Sequence, residues 1–189
     1  MSPPSPAPVN PAAHPLAVAL IERLKIGTVL ELGTGSGRNL AALRAAGFAV
    51  KSIRSDRFTQ IAADSSSFDA IISTHGLLHG NLQIVEATLS EIARVLRQDG
   101  LLYATFGAKS DSRFGSGIRI DADSFAPQAG DEAGVSHLFL NELQVRALLS
   151  AFTIETLTEA SVDDVAGKWA HSQTPLSGSV HWFAVASRR

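Results

Sequence analysis

The chain has no cysteine among its 189 residues, which excludes disulfide bridges, thiolate-bound metals and a cysteine nucleophile. It also has no block of like charge. Sixteen Lys and Arg stand against eighteen Asp and Glu, for a formal charge of −2, so neither a nucleic-acid backbone nor an anionic membrane is an expected partner. No apolar run approaches the ~20 residues of a membrane span. Residues 2–11 contain five prolines but neither the basic nor the apolar region of a signal peptide. These absences lead to the expectation of a cytoplasmic protein with small, roughly neutral partners. What is present is a large apolar fraction, 45% of the residues, enough for one domain with a full core. We place that domain at residues 12–189 and read 1–11 as a disordered or loosely docked Pro-rich tail.

One segment stands out, Val29-Leu30-Glu31-Leu32-Gly33-Thr34-Gly35-Ser36-Gly37-Arg38-Asn39. An apolar run that ends in an acid and then in three alternating glycines predicts a buried strand, a tight turn and a helix over 39–46. Glycines at such a bend let a ligand press against bare main chain. The spacing does not fit a dinucleotide fingerprint, which would need glycine at Arg38 or at Leu40. A phosphate-binding P-loop is excluded too, because no Gly-Lys-Ser/Thr follows.

The remaining pattern alternates between helix and strand. Leu16, Leu20, Ile21 and Leu24 recur at helical spacing, with Gly27 as the stop. Strands are predicted at 28–32, 48–53, 68–73, 101–106, 152–157 and 180–186. Leu82, Val85, Leu89, Ile92 and Leu96 step by three and four along a long amphipathic helix, which Asp99-Gly100 is expected to close. Asn141 with Gln144 reads as a capping box that opens a helix to Leu149. The fold class is α/β, a layered sheet with helices on both faces and an antiparallel last strand.

The motif Glu31-x-Gly33-x-Gly35-x-Gly37, the strand Phe68-Asp69-Ala70-Ile71-Ile72-Ser73 with its trailing Leu78-His79, the segment Ile92 to Gly100 and the final Trp182-Phe183 occur in that order. In this they resemble the class I S-adenosylmethionine-dependent methyltransferases, from about Leu16 onward. The resemblance implies a Rossmann-like sheet and S-adenosylmethionine as cofactor. It implies cofactor contacts at Glu31, Leu32, Gly33, Thr34, Gly35, Gly37 and Asn39, with Ser73 and Thr74 at the end of a neighbouring strand. Two departures accompany it. Where the family usually has an acid for the ribose hydroxyls this chain has Arg54, so Ser55 or Asp56 is expected to take that role. The stretch between Ile53 and Phe68 is also too short for the usual helix and third strand, which are expected to be deleted or reduced to a loop around Phe58-Thr59-Gln60.

Methyl transfer from a sulfonium asks mainly for alignment and exclusion of water, so no compact catalytic motif is expected and no catalytic residue is assigned. The segment Ser73-Thr74-His75-Gly76 lacks the Asn/Asp-Pro-Pro-Tyr-like motif of the family members that methylate amino groups of adenine or glutamine. His75, His79 and His137 are expected near the acceptor, because strand ends carry the ligands in open α/β sheets; His137 lies in a segment similar to the family's Gly-Val-Pro-His-His-Phe. On a helix, His75 and His79 would direct two imidazoles at one metal, but no third ligand stands at motif spacing and no metal is assigned. His181, Trp182 and Phe183 read as structural. The long connection between Gly107 and Phe139, with Arg113, Phe114, Arg119, Asp121 and Asp123, is expected to be a lid over the acceptor. The leading expectation is an enzyme that methylates an unidentified small molecule. The alternative is a non-catalytic S-adenosylmethionine-binding module of the same fold, and an NADP-dependent reductase with Arg54 at the 2′-phosphate is a third reading against which the glycine spacing counts.

Overall fold

A computed structural model describes residues 13–55, 58–130, 132–162 and 178–189. Helix α1 (Pro15–Leu24) begins with proline in its first turn, where the missing N–H costs nothing, and His14 caps it by accepting the Leu16 N–H at 3.1 Å. Strand β1 (Thr28–Leu32) leads through the glycine turn into α2 (Arg38–Ala45) and then β2 (Ala49–Ile53). Strand β3 (Phe68–Ser73) is followed by a single 3₁₀ turn (Gly76–Leu78) and α3 (Leu82–Val95), whose cap Asn81 accepts the Ile84 N–H. Then come β4 (Leu96–Ala108), the short strands β5 (Ile118–Arg119), β6 (Ser124–Ala126) and β7 (His137–Leu140), helix α4 (Glu142–Leu148), and the long β8 (Phe152–Ser161) and β9 (Val180–Arg188). The Asn141–Gln144 capping box is present in both directions.

The main sheet runs β2-β1-β3-β4-β9-β8, with the first four strands parallel and β9 antiparallel to both of its neighbours. Along each strand the side chains alternate between two cores. Leu30, Leu32, Ile71, Leu102, Phe106 and Trp182 face α3 and α4. Val29, Ala70, Ile72, Tyr103 and Phe183 face α1 and α2. Helices therefore cover both faces, as the α/β reading requires.

Three expectations change. The helix expected to end at Asp99-Gly100 ends at Val95 instead, and Asp99 (φ 59°) and Gly100 form an irregularity inside β4. There the register steps from Phe68↔Leu96 to Ala70↔Leu101, and Arg97 pairs with Asp69 across it. The described part of 54–67 holds no helix or strand, so no third strand lies outside β2. Buried Phe58 and Ile61 pin this loop to the α3 side, and Arg94 donates to the carbonyls of Ala63 and Ile61, each at 2.9 Å. The connection between β4 and α4 is not structureless either. β5, β6 and β7 make a small antiparallel sheet, and β7 pairs parallel with the end of β4, Gly107 opposite Phe139. Because β9 already occupies one edge of β4 at Gly107, β7 takes the edge that β3 leaves.

Candidate functional site

The period of two places Glu31 on the α1/α2 face of β1, beside Val29. Its side chain lies at the carboxyl end of the strand and is 2% exposed, and neither carboxylate oxygen has a hydrogen-bond partner among the described residues. Burial pushes this carboxyl up to about 7, against the opposing pull of the Asn39 amide and the Arg44 charge. A buried acid in this state invites a cation. The turn that follows carries left-handed backbone at Gly33 (φ 77°), Gly35 (φ 50°) and Gly37 (φ 79°). At Gly33 there is a second constraint, because an added Cβ would lie 3.2 Å from Gly76 Cα, where the end of β1 crosses the 3₁₀ turn. At Gly37 an added Cβ would meet nothing, and the main chain borders open space. Thr34 is buried with its hydroxyl unpartnered among the described residues.

Asn39, in the first turn of α2, joins three segments: its carbonyl accepts the His14 N–H at 2.9 Å and its amide donates to Thr74 Oγ1 at 3.3 Å. The main-chain carbonyl of Thr74 accepts from Thr105 Oγ1 at 2.5 Å, and Ser73 donates to the Leu32 carbonyl at 3.1 Å. The expected cofactor residues on β1, α2 and β3 thus meet at one strand-end corner. Leu32, however, turns its side chain into the opposite core. Arg54 reaches back to the Gly35 carbonyl at 3.4 Å, and Ser55 follows it at the end of β2. Asp56 lies outside the described residues.

His75 and His79 do not act as a pair. Only a three-residue 3₁₀ turn separates them, so they do not share a helix face, and each joins a different cluster. The His75 ring lies 6.5 Å from that of His14 and 5.8 Å from that of His181, with Phe183 stacked on His14 at 5.9 Å. Burial, then the nearby Arg38, holds His14 down to about 3; burial, then Arg113, does the same for His181. Both are neutral imidazoles near neutral pH. Arg113 is in turn held in a two-pronged pair with the buried Asp111, which also accepts the Val180 N–H at 2.9 Å.

His79 instead meets His137, their rings 5.0 Å apart, through an isolated antiparallel bridge between the two residues. Glu132 stands between the two imidazoles, 3.0 Å from His137 Nε2 and 3.6 Å from His79 Nε2. The hydrogen bonds of the two histidines hold its carboxyl well below the usual carboxylate range. In the expected lid, Phe114 packs edge to face on Phe125 and both tilt against Phe139, and Asp123 ties the segment to Lys109 and to Gln144 of α4. Asp123 is thus tied on both sides. Sequence reasoning passed over His14 and Glu132, and read His181 only as structural. Only His14, directly ahead of a proline that opens a helix, carried a local signal, and it pointed to capping.

A model of the methyltransferase domain matches residues 47–104. No curated protein matches the sequence. Among solved structures, an S-adenosylmethionine-dependent methyltransferase from Methanosarcina mazei superposes with a TM-score of 0.73 at 15% identity, covering 94% of this chain and 98% of that one. The Burkholderia thailandensis 1,6-didemethyltoxoflavin-N1-methyltransferase, solved with its substrate and S-adenosylhomocysteine, gives 0.62 at 16% identity, over 92% of this chain and 76% of that one. The geranyl diphosphate C-methyltransferase of Streptomyces coelicolor gives 0.60 at 14% identity over the same shares. With a glycine turn under a buried acid at the end of β1, a parallel sheet closed by an antiparallel strand and a methyltransferase-domain segment at its centre, this chain has the class I S-adenosylmethionine-dependent methyltransferase fold.

Proposed function

We propose that the protein binds S-adenosylmethionine and transfers its methyl group to a small molecule. The observation that carries this reading is Glu31, a buried carboxylate with no partner for either oxygen among the described residues, beside a glycine turn open at Gly37. That donor set fits a ligand with an ammonium group and a main-chain-hugging body. Glu31 would receive the ammonium, directly or through water, and Gly33, Thr34, Gly35 and Gly37 would give the backbone and hydroxyl contacts. Asn39, Ser73 and Thr74 would hold the corner together, with Ser55 or Asp56 at the ribose. When bound, the cofactor would supply a methyl group activated on a sulfonium, with the thioether of S-adenosylhomocysteine as the leaving group.

The chain's own residues then align and exclude water. Neutral His14 and His181 place no positive charge on the wall they share with His75. His75, His79 and His137, at the carboxyl ends of β3 and its 3₁₀ turn and at the start of β7, would line the acceptor side. Release of S-adenosylhomocysteine from a metabolite extract incubated with S-adenosylmethionine tests turnover, and calorimetry on wild type and Gly35→Val tests binding. Gly35 has φ 50°, and valine there strains the turn and should abolish the heat. Heat with no turnover against any extract would favour the non-catalytic module, a reading supported by the missing third strand. No heat from the wild type would overturn both.

A further inference from the structure

His79 closes the 3₁₀ turn, whereas Glu132 and His137 belong to a segment far along the chain, the turn before β7 and the first residue of β7. Their ligating atoms all lie within 4.8 Å of one another. From this geometry we infer that the three side chains form a binding site for a divalent transition-metal ion, zinc the foremost candidate, on the wall that the methyl-transfer reading gives to the acceptor.

The chemistry of the donors points the same way. His137 Nδ1 lies 2.9 Å from the Val135 carbonyl, an acceptor only, so Nδ1 carries the ring hydrogen. The other ring nitrogen, Nε2, faces Glu132 Oε2, 3.0 Å away. A carbonyl on the outer nitrogen of a histidine is the arrangement by which metal ligands have their tautomer and ring orientation set. Separations of 3.0 Å and 3.6 Å from Glu132 to the two imidazoles suit ligands held at about 2.0–2.2 Å from a shared zinc ion.

The backbone fixes the ligands before any ion arrives. Gly80 N donates to the Ser136 carbonyl at 2.8 Å and Ser136 Oγ donates back to the Gly80 carbonyl at 2.9 Å, clasping the residues next to His79 and His137. Gly80 takes φ 104°, a conformation that side chains rarely adopt, and so aims His79 at the bridge. The site is not sealed, because His79 and Glu132 are partly exposed, 23% and 44% by side chain. Two imidazoles and one carboxylate are a borderline donor set that suits zinc and its first-row neighbours better than calcium or magnesium. Three protein ligands leave at least one coordination position for water or an oxygen of a small molecule.

Calorimetric titration of the full chain with zinc, free of S-adenosylmethionine and of acceptor, tests the site. One equivalent of zinc should bind, raise the melting temperature and be reversed by a chelator. His79→Ala and Glu132→Gln, the two more exposed members, should each weaken zinc binding by at least about tenfold, since loss of a group that merely supports a ligand already costs that much. Both should melt near the wild-type temperature without zinc and still bind S-adenosylhomocysteine, which separates loss of the metal from misfolding and from failure of the cofactor reading. No saturable heat in the wild type, or unchanged zinc affinity in either variant, would overturn the proposal and leave the three residues as an ion pair with a flanking histidine.

Discussion

Glu31 shows how one side chain couples stability to ligand binding. Its folded-state value of about 7 lies above the ordinary 4.5, so between those values the folded chain holds a proton that the unfolded chain has lost. The stability that Glu31 contributes is therefore present near pH 4.5 and is lost as pH rises through 7. Glu31→Gln should remove that slope and make the free protein more stable at pH 8, by on the order of 3 kcal/mol, because the amide never has to ionise in the buried site. Urea unfolding at pH 5 and pH 8 would measure it, and a variant less stable at pH 8 would show that Glu31 is paired in solution. Binding should run the other way. An ammonium ligand needs the ionised acid, so affinity for S-adenosylhomocysteine should fall as pH drops below about 7 in the wild type. In the variant it should be weaker and flat across that range. Equal pH profiles in calorimetry would take Glu31 out of the cofactor site.

The end of β4 decides where β7 sits. Gly107 faces β7 so closely that an added Cβ would lie 2.4 Å from the Leu138 carbonyl. This contact is between backbones, with no flexible side chain to yield. Gly107→Ala should force β7 from its place beside β4 and lower stability by about 1–3 kcal/mol or more, the range for overpacking a tight contact. Because β7 carries His137, the same substitution should weaken zinc binding, and a wild-type urea midpoint would mean that the β4–β7 approach is looser than described. The hairpin strands β5 and β6 escape sequence reading for a plain reason. Two and three residues are too few to show alternation, and the surrounding Gly, Ser and Asp read as loop. By contrast β1 and β3 fall where the apolar runs predict, because each is a full-length buried strand.

Taken as a whole, the molecule is one sheet with two cores, and the proposed cofactor corner joins α1, α2 and the end of β3 through the bonds of Asn39, and β3 to β1 through Ser73. A ligand seated there should stabilise the entire domain rather than a loop. At a hundred times its dissociation constant, S-adenosylhomocysteine should add about 2.7 kcal/mol. For a chain of this length that corresponds to a rise in melting temperature of about 5–10 °C. Thermal unfolding with and without the ligand is the check, and an unchanged midpoint at saturating concentration would remove the cofactor from this corner. No helix among the described residues is long and apolar enough to cross a membrane.

Consecutive residues were enough to reveal the order of the helices and of the long strands, the glycine turn under Glu31, the Asn141 capping box and the shortened stretch after Ile53. Each depends on a local period, a cap or a backbone preference that acts within a few positions. The separation of His75 from His79, the neutral wall of His14 and His181, and the meeting of His79 with Glu132 and His137 leave no such trace. They depend on β7 taking the edge of β4 that β3 leaves and on Gly80 and Ser136 clasping across that junction. Strand pairing between distant segments sets those distances, and no spacing along the chain encodes them.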